Sequence, residues 1–471
     1  MKKAMFRGLL LLVLAFPLIA EATSVSSHYL FVWAMEAQHP HPHASAMAFS
    51  KPTDRRTALR TALGLGKDFL AVFDVRPGPS FGKLVAMLPV GEAVMAHHTN
   101  YAEPPNDVLY ANDWLGNRTY VFNLRDPRHP RLLRKFGSVS AFSYPHSFVY
   151  LSNGNTLATF QYSGGFNHAA GGLVELDPHG RVVRSASAVA PGHPDIRPYS
   201  LAVVAKLNRV VTGSADMMGA QVSHVVQVWR LSDLKLIKTM RLPPQPDWFY
   251  DSAADSSEPR LLADGQTVLV PTFNCGLFMV RNLAGDNPTL QHVYDFGYRT
   301  CEVPVVAGDF LVETMQSGHA IVSLDVHDPE HPREVSRILL PPDEYPHWLA
   351  LEPEGDRLAI TGYGALDTKV RFATIDRRTG KLTLEPYTIN FTRAWPDGWR
   401  GFQQPLSHPR AASRSLYNCS TLYPAVSNCA SRPSAPTMCS APTTTKYCRP
   451  LRSRCSSRGI QVRFRSATSS L

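Results

Sequence analysis

Ala71-Val72-Phe73-Asp74-Val75 is a short apolar run that ends in Asp and is followed by a turn, Pro77-Gly78-Pro79. The phrase returns as YVFNL at Asn123, LVELD at Asp177, VQVWRL at Arg230, FMVRN at Asn282, IVSLD at Asp325 and FATID at Asp376. Neighbouring markers lie 43 to 54 residues apart, the period of four-stranded propeller blades and longer than most helical repeats. The runs between them are β-branched, aromatic and broken by Gly, Pro, Asn and Asp, which predicts strands and tight turns. Seven markers predict an all-β fold, a seven-bladed β-propeller, in which radial repetition leaves only short sheet edges.

The ends differ from this body. Residues 1–22 carry Lys2, Lys3 and Arg7, an apolar run from Leu9 to Ala20 and then Ala20-Glu21-Ala22, the order of a secretory signal peptide. No later segment approaches the ~18 apolar residues of a spanning helix, so the expectation is a periplasmic or secreted protein with no transmembrane segment. Residues 23–66 read as an irregular linker, with His39, His41 and His43 alternating with Pro. The propeller occupies 67–401. Residues 402–471 hold ten Lys or Arg and no Asp or Glu, so the whole-chain charge of +10 belongs to this tail. Five of the seven cysteines also lie there, at spacings that match no zinc pattern. Without hydrophobic periodicity the tail reads as disordered, and without interleaved aromatics it predicts no specific nucleic-acid partner.

A second repeat precedes each marker by about two dozen residues, where an innermost strand should start. Pro145-His146, Pro198-Tyr199, Pro259-Arg260, Pro304-Val305 and Pro346-His347 open such strands, Pro being tolerated at a strand's first residue. Counting back from Leu109 makes His98 the partner in register of His146 and His347. The closing blade takes its outer strands from 68–90, and its inner strands are expected beyond Gly401, where Ser407-His408 falls near the start. Equivalent positions lie on one circle, so His347, His408, His98 and His146 form an arc at one channel mouth. Imidazoles in such an arc suit copper, zinc, iron or nickel; a polar ring bonded to channel water is the other reading. His97 is expected behind the ligands or turned into the blade, with Tyr199 and Arg260 also around the metal. Glu258, Asp264, Glu302 and Glu313 would serve a lactonase-like cation site, but they share no register and read as turn or surface charges. Cys275 and Cys301 read as buried small apolar residues in preference to a disulfide.

These residues resemble the selenium-binding protein family, which includes bacterial methanethiol oxidases. The resemblance lies in His97-His98-Thr99-Asn100-Tyr101, similar to the family's His-His-Ser-Gly-Trp, in Pro145-His146 followed by a turn and LATF, and in Ser323-Leu324-Asp325-Val326-His327-Asp328-Pro329. It implies a seven-bladed propeller and, for the bacterial oxidases, copper-dependent use of oxygen to convert methanethiol to formaldehyde, hydrogen sulfide and peroxide. Carried over, His98 and His146 would be metal ligands. The animal proteins' selenium-linked thiol has no counterpart near His97 or His98. Two functions stay open: oxidation of a small thiol at a histidine-bound metal, or a non-catalytic exported propeller that binds a protein, glycan or small ligand, since the fold alone does not choose.

Overall fold

The computed structural model describes residues 29–37, 65–90, 96–101, 107–113, 116–216, 223–243, 255–352, 355–362 and 369–391. The tail and His408 lie outside them. The described residues form seven antiparallel sheets, six of four strands and one of three. Blade 1 comprises β4 (Ala96–Thr99), β5 (Val108–Asp113), β6 (Arg118–Asn123) and β7 (Arg131–Phe136). Blade 2 runs from β8 (Phe142–Tyr150) through β9 (Thr156–Ser163) and β10 (Ala169–Leu176) to β11 (Val182–Ser187). Blade 3 runs from β12 (Pro198–Val204) to β15 (Lys235–Arg241), and blade 4 from β16 (Arg260–Leu261) to β19 (Thr289–Asp295). Blade 5 runs from β20 (Val305–Ala307) to β23 (Arg333–Leu339), and blade 6 from β24 (Pro346–Leu351) to β27 (Leu382–Asn390). Among the described residues no helix is long and apolar enough to cross a membrane.

The sequence markers sit where the third strand of each blade ends. At five of them the side chain closes the turn: the Oδ1 atoms of Asp74, Asn123, Asp177, Asp325 and Asp376 accept the backbone N–H two residues on, at 2.8–3.0 Å. That local bond is why a short acid or amide recurs there. Third strands are buried on both faces, as in Gly276–Arg281, where every residue before Arg281 is buried, whereas the outermost strands are largely exposed.

Ring closure differs from the expectation. The stretch taken for a linker contains a strand, β1 (Tyr29–Ala37), which pairs antiparallel with β2 (Leu65–Asp74), itself paired with β3 (Lys83–Pro89). Since β2 carries a third-strand marker, β1 fills the second-strand position that had been sought beyond Gly401. Among the described residues no strand occupies the innermost position of this blade. The composition of β1 explains its role. Tyr29, Phe31 and Trp33 pack into the core shared with blade 1, and Leu30, Val32 and Ala34 into the core shared with blade 6. Strand periodicity sends alternate residues to opposite faces, and here both faces are apolar because a blade lies on each side. Trp33 is wholly buried between Tyr120 and Phe122, with ring centroids 5.4 and 5.6 Å away, and its Nε1 donates to the Asn112 carbonyl at 2.8 Å.

Cys275 and Cys301 form a disulfide, Cα atoms 5.0 Å apart, contrary to the reading of two free thiols. It ties the hairpin between β17 (Val268–Pro271) and β18 (Gly276–Arg281) to the entry of blade 5. Sequence leaves this pairing open because two buried cysteines in adjacent blades look the same whether or not their Cβ atoms meet.

Two stability outcomes follow. Trp33→Ala removes an aromatic core side chain and a hydrogen bond, a loss of about 3–5 kcal/mol; a thermal melt unchanged by it would show that β1 does not close the ring. Reduction of Cys275–Cys301 releases a loop spanning 26 residues of sequence separation, about 3 kcal/mol in the chain-entropy account, and should lower the melting temperature in reductant, with no effect of reductant on a Cys275→Ser/Cys301→Ser variant.

Candidate metal centre

In each of the six complete blades the innermost strand carries one more residue than its partner. The last pair before the extra residue is Ala96–Asp113, Pro145–Phe160, Pro198–Ser214, Ser256–Thr272, Cys301–Met315 and Pro346–Gly362 in blades 1 to 6. The ladder resumes at Thr99–Ala111, Phe148–Ala158, Leu201–Thr212, Arg260–Leu269, Val305–Val312 and Trp348–Thr361. A bulge re-aims side chains and is favoured next to functional sites. Here it is repeated around the axis, so two rings of residues take equivalent places. His97, His146, Tyr199, Ser257, Glu302 and His347 form the first; His98, Ser147, Ser200, Glu258, Val303 and Trp348 form the second.

This register corrects the sequence count. His97, not His98, is the counterpart of His146 and His347, because Ala96 pairs with Asp113 as Pro145 pairs with Phe160 and Pro346 with Gly362. Pro259-Arg260 and Pro304-Val305 lie three residues past the equivalent point, which belongs to Ser256-Ser257 and Cys301-Glu302. Glu258 and Glu302 therefore do share register with the histidines, and they are buried, as is Glu313; only Asp264 stays in an exposed turn, where it accepts from Thr267.

The bulge lets His97 and His98 face the same way. Their rings stack at 3.9 Å with 11° between planes, and His146 lies 5.0 and 4.2 Å from them. Nitrogen atoms of His97, His98 and His146 all fall within 4.8 Å of one another. His347 is farther out, 6.5 Å from the His98 ring, with its Nε2 3.7 Å from Glu302 Oε2. His97, expected behind the ligands, is thus one of the clustered three, and His347 flanks them.

The neighbours set the tautomers. His146 Nδ1 meets the Tyr199 carbonyl at 2.6 Å and must donate to it, which leaves Nε2 a buried lone pair with no protein partner. His98 Nδ1 faces Glu258 Oε1 at 3.2 Å, and its Nε2 lies 3.4 Å from the Tyr199 hydroxyl. The Glu258 carboxylate thus stands behind the His98 Nδ1 at contact distance, without the alignment of a formed hydrogen bond. Asn112, which sequence reading passed over, holds the pair of blades in place: its Oδ1 accepts the His98 N–H, and its Nδ2 donates to the Pro145 and His146 carbonyls at 3.0 and 3.2 Å. Thr159 and Thr314 do the same between later blades, bonding the Tyr199 and His347 carbonyls at 2.8 and 3.0 Å.

Burial decides the charges. It holds His97 and His98 well below the usual imidazole range, helped by repulsion from the neighbouring histidines, and lowers His146 to about 4, with Glu258 and the Tyr199 carbonyl opposing it. Burial likewise pushes Glu302 up to about 8 and Glu313 well above the carboxylate range. Three neutral imidazoles, one with a bare inward nitrogen, are the donor set of a transition-metal site. The residues fit a metal; His97, His98 and His146 would hold it.

No family model matches the chain. It is 22% identical over 307 residues to a methanethiol oxidase of Hyphomicrobium sp, covering 58% of this chain and 67% of that protein. In fold it is similar to a hypothetical selenium-binding protein from Sulfolobus tokodaii, with a TM-score of 0.57 at 14% identity over 69% of this chain and 88% of the other. It is also similar to the periplasmic gluconolactonase of Pseudomonas aeruginosa, with a TM-score of 0.52 at 13% identity over 69% and 92%. Both structural likenesses concern the propeller frame. In sequence motif and frame together, this seven-bladed chain resembles the selenium-binding protein and methanethiol oxidase family.

Proposed function

We propose that this protein is an exported metal-dependent oxidase of a small thiol, methanethiol-like, with copper held by His97, His98 and His146. The observation that carries the reading is the set of three buried, neutral imidazoles within ligating distance of one another, one of them with an unused nitrogen. The similarity to a methanethiol oxidase supplies the substrate class, and the Cys275–Cys301 disulfide together with the leader-like residues 1–22 supports an oxidising compartment such as the periplasm. Copper is favoured because imidazole sites rank it above the other divalent first-row metals. The chemistry such a metal supplies is electron transfer from the thiol to dioxygen; one methanethiol, one dioxygen and one water balance one formaldehyde, one hydrogen sulfide and one hydrogen peroxide.

The residues of the chain have separate tasks in this reading. The Tyr199 carbonyl orients His146, Glu258 stands behind His98, and Asn112 fixes the distance between their strands. Trp348 closes over His98 with ring centroids 4.9 Å apart, and the Tyr199 ring lies 4.0 Å from His146, so the cluster is walled by aromatic surface that excludes bulk water. His347 and Glu302, whose carboxyl stays protonated at neutral pH, can carry a proton to or from the flank of the site.

Metal analysis of the purified protein should find about one transition-metal ion per chain, reduced at least tenfold in His146→Ala and His98→Ala, as expected when one ligand of a small set is lost. Full occupancy in both variants would sink the assignment, and metal-free wild type without thiol-dependent oxygen uptake would favour the ligand-binding propeller. Protons compete for the same nitrogens. Because His146 titrates near 4 instead of near 6.5, it is neutral above about pH 5, and metal should be retained as pH falls from 7 to about 5 and released below that. Loss centred at pH 6 to 6.5 would mean the ligands are ordinary exposed imidazoles.

A further inference from the structure

Arg260 is a buried cation beside the histidine cluster whose bonding is incomplete. It is 2% exposed. Its guanidinium stacks over the Tyr101 ring, 4.4 Å from the centroid. Arg260 belongs to blade 4 and Tyr101 follows the inner strand of blade 1. These blades stand on opposite sides of a seven-membered ring, so a side chain that touches both lies across the axis. Its Nε donates to the Pro304 carbonyl at 2.8 Å, and Nη1 donates to Glu258 Oε2 at 2.9 Å and the Pro259 carbonyl at 3.1 Å. Nη2 has no protein partner. Arginine cannot escape burial by losing its proton, and a buried charged donor without an acceptor forfeits its solvation.

Glu258 does not complete the match, because its carboxylate is shared. It accepts the Ser200 hydroxyl on the oxygen that meets Arg260, and faces His98 with the other. Glu313 is also wholly buried; its Oε1 accepts the Thr314 N–H at 3.0 Å while Oε2 has no partner. The charge of Arg260 is felt at both His98 and Glu313. Burial keeps Glu313 a neutral acid, so it offers an O–H. Arg260 Nη2 and the Glu313 acid are both donors, and a cation on the histidines would add positive charge. A buried cationic donor with no acceptor selects a partner that is negative and small.

We infer that Arg260 forms a subsite for a small anion next to the histidine cluster, to which Glu258 links it; resting on the thiol-oxidising reading, that anion is the deprotonated sulfur of the substrate or the hydrosulfide product. The fork orients the anion through charge-assisted hydrogen bonds, and the Tyr101 face under the guanidinium holds Arg260 in place.

The test is calorimetric titration of thiocyanate into the full-length protein, as purified and after treatment with chelator, with hydrosulfide as competitor. Chelator-treated wild type should bind thiocyanate, and hydrosulfide should displace it. Arg260→Lys keeps the charge but not the planar fork, and should weaken binding about tenfold, the effect of one lost charge-assisted bond; Arg260→Gln should abolish it. If Arg260→Gln does not fold by circular dichroism, the Lys variant decides. Absence of thiocyanate binding by chelator-treated wild type, or unchanged affinity in Arg260→Lys, would overturn the inference and leave Nη2 to water. Failure of hydrosulfide to compete would overturn the sulfur anion as ligand. The metal reading fails separately: protein with no metal and no oxidase activity that still binds thiocyanate through Arg260 keeps the anion subsite and loses the oxidase.

Discussion

One extra residue in each innermost strand, between the last pair before it and the resumed ladder, is the constraint on which the candidate site depends. Without it, alternation would turn His97 and His98 to opposite faces, one toward the channel and one into the blade. With it, the two rings stack at 3.9 Å and meet His146 from the next blade. The same device acts at Glu258 and Glu302, so the carboxylates that stand behind His98 and flank His347 arrive by the same geometry as the ligands themselves.

A cluster of this kind is costly to build, since it removes imidazoles, carboxylates and a guanidinium from water. The chain offsets the cost by keeping most of them neutral and by bonding the rest. Histidines that would repel one another as cations are uncharged, Glu302 and Glu313 are held as acids, and Arg260 and Glu258 remain as a paired couple. Side chains of the second strands, Asn112, Thr159 and Thr314, bond the inner-strand carbonyls of the following blade. These bonds carry position from blade to blade where packing alone would allow slippage. His146 Nε2 and Arg260 Nη2, which have no protein partner, keep capacity for a ligand.

The cores between blades depend on a related feature of β1. Its residues are apolar on both faces, and the strand is wedged between blade 6 and blade 1. Trp33 serves this closure twice, through ring contacts with Tyr120 and Phe122 and through its bond to the Asn112 carbonyl. Since Asn112 also holds His98 and His146, closure and site geometry meet in one residue.

The blades were legible from residue order because each is a local pattern: an apolar strand, an Asp or Asn whose side chain closes the following turn, and another strand. His146 was legible for the same reason, as a repeat near the start of an inner strand, whereas the count that pointed to His98 was one residue off its true counterpart, His97. The membership of His97, the burial of Glu258 and Glu302 and the place of Arg260 were not, because a bulge is a property of two paired strands and leaves no mark in one. Proline position misled the count by three residues in blades 4 and 5, since Pro259 and Pro304 sit at the end of the bulged stretch while Pro145 and Pro198 sit at its start. The strand at 29–37 was missed because a run apolar on both faces lacks the alternation that identifies half-buried strands. Local chemistry thus settles which segments become strands and how many blades they make. Which side chains share the axis, which carboxylates lose their charge and which cysteines join is decided only when seven sheets pack into one ring, because each of those outcomes depends on a neighbour tens of residues away in the chain.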